Sequence, residues 1–137
     1  ILHKILSSVR VAEDLGRAVS DAVAAGLLDR DEAADAEAFL SSKIASVSAL
    51  GWFAADGSRI LNESPVIDTD GRVYRPDRVI LHNDGRVTVI DYKFGSRDNS
   101  YRRQVLKYAD IWRRKGHPDV SAYIWYVMSD SPEIVTA

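Results

Sequence analysis

Cysteine is absent from all 137 residues. That excludes disulfides, thiolate zinc sites, iron–sulfur clusters and a cysteine nucleophile together. No apolar run approaches the ~20 residues of a membrane span, and no signal peptide stands at the start, so a cytoplasmic location is expected. There is no large excess of one charge. The net value is -2, so the chain as a whole is not a basic wrapper of nucleic acid, and any such surface must be local. Internal repeats and low-complexity linkers are also missing. What remains is 46% hydrophobic and 28% charged, the balance of a soluble globular domain. The length fits one domain with a real core. The first residue is Ile1, not methionine, and the chain is expected to belong to a longer protein.

Residues 1–50 read as helical. Ile1, Leu2, Ile5, Leu6 and Val9 form a helical stripe, and Val11–Ala25 continues with Leu15, Val19 and Ala22 or Val23 on one side. Gly26 suits a C-cap, and Asp29 or Asp31 can cap a further helix running toward Ile44–Val47. From Trp52 the pattern changes to strands. Arg59–Ile67 is a strand broken or bent at Pro65, and Asp70-Gly71 is a turn. Arg72–Leu81 is a second strand, Asn83-Asp84-Gly85 a hairpin signal, and Arg86–Phe94 a third strand. A polar loop, 95–100, leads to a helix over Tyr101–Lys115, closed by Gly116, His117 and Pro118, and then to an apolar strand over Val120–Met128. The expected fold is α/β. An antiparallel meander plus a further strand makes a mixed central sheet flanked by helices, with the central strands covered on both faces. The division expected is one domain over 1–137, with a helical segment over 1–50 and a sheet-and-helix segment over 52–137.

The stretch from Tyr74 to Tyr108 carries the chemistry. Arg75-Pro76-Asp77 lies on one predicted strand and Val89-Ile90-Asp91-Tyr92-Lys93 on the next. Period-two alternation puts Val87, Val89, Asp91 and Lys93 on one face, and counting outward from the hairpin brings Asp77 near Asp91. Two carboxylates ~4 Å apart repel by about 4 kcal/mol at an effective dielectric of ~20. A divalent cation held by hard oxygen ligands removes that cost. A lysine beside such a pair points to metal-assisted hydrolysis of a phosphodiester, the ammonium orienting water or stabilising charge on the phosphate. Two surface aspartates with a salt-bridging lysine are the plain alternative.

These residues resemble the PD-(D/E)XK nuclease superfamily, and the Asp-Tyr-Lys form with Gln104 and Tyr108 on the following helix resembles its RecB/AddA-like branch. In that branch the nuclease domain is the C-terminal portion of a UvrD-like helicase. The resemblance implies a restriction-endonuclease-like core and assigns five elements in order. His3 would be a metal ligand on the first helix, although taken alone it reads as an ordinary helix-surface histidine. Glu63 would belong to the catalytic pocket, or be an exposed strand glutamate. Asp77 and Asp91 would be direct metal ligands, joined by the backbone carbonyl of Tyr92. Lys93 would be the catalytic lysine. Gln104 would lie near the metal or its waters, and Tyr108 would face DNA.

The helix is locally basic. Arg97, Arg102, Arg103, Lys107, Arg113, Arg114 and Lys115 stand against Asp98 and Asp110. Arg102, Arg103 and Lys107 are the expected phosphate contacts, with salt-dependent, sequence-independent binding; a solvated basic face is the alternative. Trp112, Tyr123, Trp125 and Tyr126 are of a type that stacks on bases, but most of them, with Ile124 and Val127, read as core and edge packing, and His82 and His117 as structural or exposed.

By resemblance the chain is a Mg²⁺-dependent DNA nuclease, with Mn²⁺ able to substitute and no iron–sulfur cluster. It would act as an exonuclease within a helicase-nuclease of double-strand-break and recombination repair. Its partners would be DNA ends or single strands, the helicase portion and an AddB-like second subunit, with no membrane. The rival from another class is a catalytically silent DNA-binding or structural module of the same fold.

Overall fold

A computed structural model of the chain describes residues 1–129 and 132–136. Two compact units divide between Asp56 and Gly57. The boundary falls a few residues after the helical segment expected from sequence.

The N-terminal unit holds α1 (Leu2–Leu6), α2 (Leu15–Ala24) and α3 (Ala33–Ser46). Short 3₁₀ turns stand at Ala12–Asp14 and Ser48–Leu50. The first helix is shorter than its apolar stripe suggested. Ser7 closes it as C-cap, its hydroxyl donating to the carbonyl of His3 at 2.9 Å. Leu15, Ala18, Val19 and Ala22 recur at helical spacing on α2 and are buried. Gly26 follows the α2 C-cap with φ of 76°, where a side chain would be strained. The cap of α3 is neither aspartate expected. Glu32 takes that place, and its carboxylate instead accepts from the backbone N–H of Asp29.

The C-terminal unit is a five-stranded mixed sheet in the order β1-β4-β5-β6-β7, with a separate two-stranded ribbon, β2-β3. The strands are β1 (Arg59–Asn62), β2 (Val66–Ile67), β3 (Val73–Tyr74), β4 (Arg78–Leu81), β5 (Val87–Lys93), β6 (Val120–Tyr126) and β7 (Glu133–Val135). Two long strands of the sequence reading are therefore each split. Arg59–Ile67 breaks at Glu63, which takes φ of 50°, a region few non-glycine residues enter. Arg72–Leu81 breaks at Arg75-Pro76-Asp77. The halves beyond each break pair with each other as the ribbon, Val66 opposite Tyr74 and Ile67 opposite Val73. Strand β7 has no counterpart in the sequence reading; three residues are too few for alternation to register.

The hairpin forms where its turn residues stand. Gly85 takes φ of 92°, and β4 and β5 pair antiparallel with Arg78 opposite Ile90 and Leu81 opposite Val87. Strands β5 and β6 run parallel, which requires a crossover. That crossover is α4 (Asn99–Arg114), started by the Asp98 carboxylate accepting from Ser100 N–H at 2.8 Å. Its face Val105, Tyr108 and Ala109 packs on Val79, Val89, Ala122 and Ile124 of the sheet. Six of the seven β5 residues are buried, on both faces of the strand.

The ribbon is tied to α4 by charge. Asp68 is buried, and its carboxylate meets Lys107 at 2.7 Å and Arg114 at 3.0 Å. The hydrogen bond from Lys107 holds the Asp68 carboxyl below its ordinary range. Of the residues read as packing, Trp125 and Tyr126 are fully or almost fully enclosed. His82 bonds the Thr88 hydroxyl at 2.8 Å, and His117 packs edge-on against Trp112.

Candidate metal centre and active site

Asp77 is not on a strand. It occupies the last position of the loop before β4, held there by Pro76, which is buried. Its neighbour Arg78 opens the ladder opposite Ile90, so Asp77 falls beside Asp91 despite the broken strand. The two are cross-linked through backbone. The Asp77 N–H donates to Asp91 Oδ1 at 3.4 Å, and the Tyr92 N–H donates to Asp77 Oδ2 at 2.7 Å. Behind Asp77, the Glu63 N–H donates to the Asp77 carbonyl at 3.1 Å. The left-handed turn at Glu63 thus brings its carboxylate within 4.8 Å of that of Asp77.

Asp91 is 3% exposed. Burial, and then the Asp77 carboxylate beside it, push its carboxyl up to about 6, while Lys93 pulls the other way. Lys93 Nζ lies 3.1 Å from Asp91 Oδ2 and 3.3 Å from Gln104 Oε1. It also sits 4.4 Å from the centre of the Tyr101 ring. Asp77, Asp91 and Lys93 therefore stand together, and Gln104 of α4 meets the lysine. Gln104 reaches the site through the lysine.

Tyr108 does not stand where a DNA-facing tyrosine was expected. It is 5% exposed and packs edge-on to Tyr74 with ring centres 6.2 Å apart. Burial, then the charges of Asp91 and Asp77, push its hydroxyl up to about 12, against a hydrogen bond with Gln104. It packs in the layer between α4 and the sheet because its helical phase is that of Val105 and Ala109, and there it lies near enough to feel the charges of Asp91 and Asp77. Of the basic residues, Arg102 and Arg103 are exposed; Arg102 lies 3.7 Å from Glu133, which also binds Arg97. Lys107 has its charge committed to Asp68. His3 lies on α1 of the N-terminal unit and is half-buried.

Three residues at or near this site had no place in the sequence reading. Tyr101 is one, with a legible signal: it precedes Gln104 by one helical turn. Asp68 is another, an acidic residue between the predicted strand Arg59–Ile67 and the Asp70-Gly71 turn. Arg78 is fully buried, reaches Asn62 Oδ1 at 3.3 Å, and counters the burial that raises the Tyr92 hydroxyl.

A buried pair of carboxylates at the mouth of a hairpin, with an ammonium against one of them, is a donor set that suits a hard divalent cation. A family model for the PD-(D/E)XK nuclease superfamily matches residues 1–137. The chain belongs to that superfamily. Its five-stranded mixed sheet with the α4 crossover is consistent with the fold the superfamily shares. No curated protein matches the chain. PD-(D/E)XK nucleases use divalent metals, and the donors here suit one. They are hard oxygens, they crowd one another, and the burial that pushes Asp91 up would be relieved by a bound cation. Among the described residues no helix is long and apolar enough to cross a membrane.

Proposed function

We propose that this PD-(D/E)XK domain is a Mg²⁺-dependent deoxyribonuclease of the RecB/AddA-like branch, with Mn²⁺ able to substitute. The observation that carries the reading is the reciprocal bonding of Asp77 and Asp91 with Lys93 3.1 Å from Asp91. All three charged groups that the chemistry needs are present and converge. A silent binding module has no use for the cost of keeping them together.

Asp77 and Asp91 would hold the metal with Glu63 beside Asp77. His3 and the Tyr92 carbonyl are assigned to the shell on the family resemblance. When bound, the cation supplies Lewis acidity to the scissile phosphate and acidifies water. The protein's own contribution is electrostatic and positional. Asp77 and Asp91 are locked by backbone N–H groups, so they cost little reorganisation during reaction. Lys93 faces the position where charge develops on the phosphate, and Gln104 fixes its ammonium. The buried Tyr108 excludes water from one side of the pocket and strengthens every interaction inside it. Exposed Arg102 and Arg103, just before Gln104 on α4, supply phosphate contacts that carry no sequence information.

The biological setting we propose is exonucleolytic processing of DNA ends in double-strand-break and recombination repair, in the cytoplasm. A helicase portion of the same protein would deliver the strand, with an AddB-like subunit as partner. The test is hydrolysis of linear single-stranded DNA with Mg²⁺ or Mn²⁺ by the chain and by Asp91→Ala. Cleavage by the parent that is lost in the variant and in chelator supports the reading. Equal activity in both proteins, or none in the parent even with the helicase portion attached, overturns it.

A further inference from the structure

Lys93 ends β5, and its ammonium touches three groups of different chemistry. One is the Asp91 carboxylate at 3.1 Å, one the Gln104 amide oxygen at 3.3 Å, and one the face of the Tyr101 ring at 4.4 Å from its centre. Tyr101 and Gln104 stand three residues apart on α4, so they reach the ammonium from adjacent positions on one helix face. The Tyr101 ring is half-buried and packs against the apolar layer between α4 and the sheet, which restricts its motion. Lys93 itself is only 20% exposed at its side chain.

We infer that Tyr101 is a positioning residue for Lys93, the ring face fixing where the ammonium meets the scissile phosphate. The inference rests on the nuclease reading and extends it to a residue outside the expected set. The physical reason for a ring here is charge. A further carboxylate would also hold the lysine, but it would add negative charge beside an anionic substrate. The ring quadrupole attracts the ammonium without doing so, and the neutral Gln104 oxygen works in the same way. When a divalent cation draws on Asp91, these two neutral contacts from α4 are what still aims Lys93.

The experiment compares the chain with Tyr101→Phe and Tyr101→Leu. Leucine keeps apolar packing but has no ring; phenylalanine keeps the ring and loses only the hydroxyl. In steady-state cleavage, Tyr101→Leu is expected to lower kcat by roughly tenfold, the range a cation–π contact allows, with KM unchanged, and phenylalanine to restore it. In metal-free protein, the Lys93 Hε resonances, assigned by their loss in Lys93→Arg, are expected upfield of other lysines through the ring current. They stay upfield in Tyr101→Phe and return in Tyr101→Leu. Parent-like kcat in Tyr101→Leu overturns the inference, as do ordinary Lys93 shifts in the parent, which also decide the matter if the leucine variant fails to fold. A parent that does not cleave DNA overturns the nuclease reading instead, and the resonances then judge the Tyr101–Lys93 contact by themselves.

Discussion

Asp77 and Asp91 fix each other: the N–H of Asp77 donates to the carboxylate of Asp91, and the carboxylate of Asp77 accepts from the N–H that follows Asp91. The bonds orient both carboxylates before any substrate arrives. They also hold the Arg75-Pro76-Asp77 loop against β5, where no strand ladder reaches it.

The arrangement has a cost in metal-free protein. The Asp91 carboxyl rises from 3.8 in a free side chain to about 6, so the unfolded chain ionises first and folding is opposed by roughly 3 kcal/mol at most once pH exceeds the folded value. Stability relative to Asp91→Asn is therefore expected to fall as pH rises from about 4 through about 6 and then level off. Asp68, Asp84 and Asp98 shift the opposite way and act below that window, equally in both proteins. Urea titrations of the two proteins across pH check this; parallel curves would refute it.

Metal and lysine should separate by mutation. Asp77→Ala and Asp91→Ala are expected to abolish both Mn²⁺ binding and cleavage. Lys93→Met is expected to bind Mn²⁺ normally and lose roughly 10²–10³ in kcat, the scale of one electrostatic stabiliser. Calorimetry beside single-turnover cleavage reads both. Parent Mn²⁺ affinity should weaken about tenfold per pH unit below 6, because protons compete for Asp91.

The basic helix should prove unequal along its length. Lys107 is spent on the buried Asp68 carboxylate, whereas Arg103 is exposed. Arg103→Ala is expected to reduce the slope of log affinity against log salt by about 1, and Lys107→Ala by much less. Fluorescence anisotropy on a single-stranded oligonucleotide with metal omitted measures it. A full unit lost in Lys107→Ala would mean that the ion pair opens for phosphate.

Replacing Asp68 by alanine would remove the buried carboxylate that Lys107 and Arg114 share, leaving Arg114 to Asp110 and Thr69, and would weaken the tie between the β2–β3 ribbon and α4. The expected result is a lower melting temperature together with a steeper salt slope, as Lys107 turns to phosphate. An unchanged slope would show that the freed lysine does not face the DNA path.

Local signals determined much of this protein from sequence. The apolar periodicity of α2 and α4, the Asn83–Gly85 turn and the alternation along β5 each act within a few residues, and they put Asp91 and Lys93 on one face without reference to the rest of the chain. The absence of cysteine removed whole classes of chemistry by composition alone. Tertiary structure decided the rest, where partners lie far apart in the chain. Glu63 enters a left-handed turn because its N–H finds the Asp77 carbonyl, and that contact, invisible to periodicity, splits two strands and makes the ribbon. Lys107 and Arg103 look alike in sequence, yet only Lys107 meets a buried carboxylate thirty-nine positions upstream. Tyr108 is inside because the phase of α4 against the sheet puts it there, and Tyr101 matters because that same phase brings its ring to Lys93. Hydrophobic pattern sets which face of an element is buried; packing between elements sets which charges are left to do chemistry.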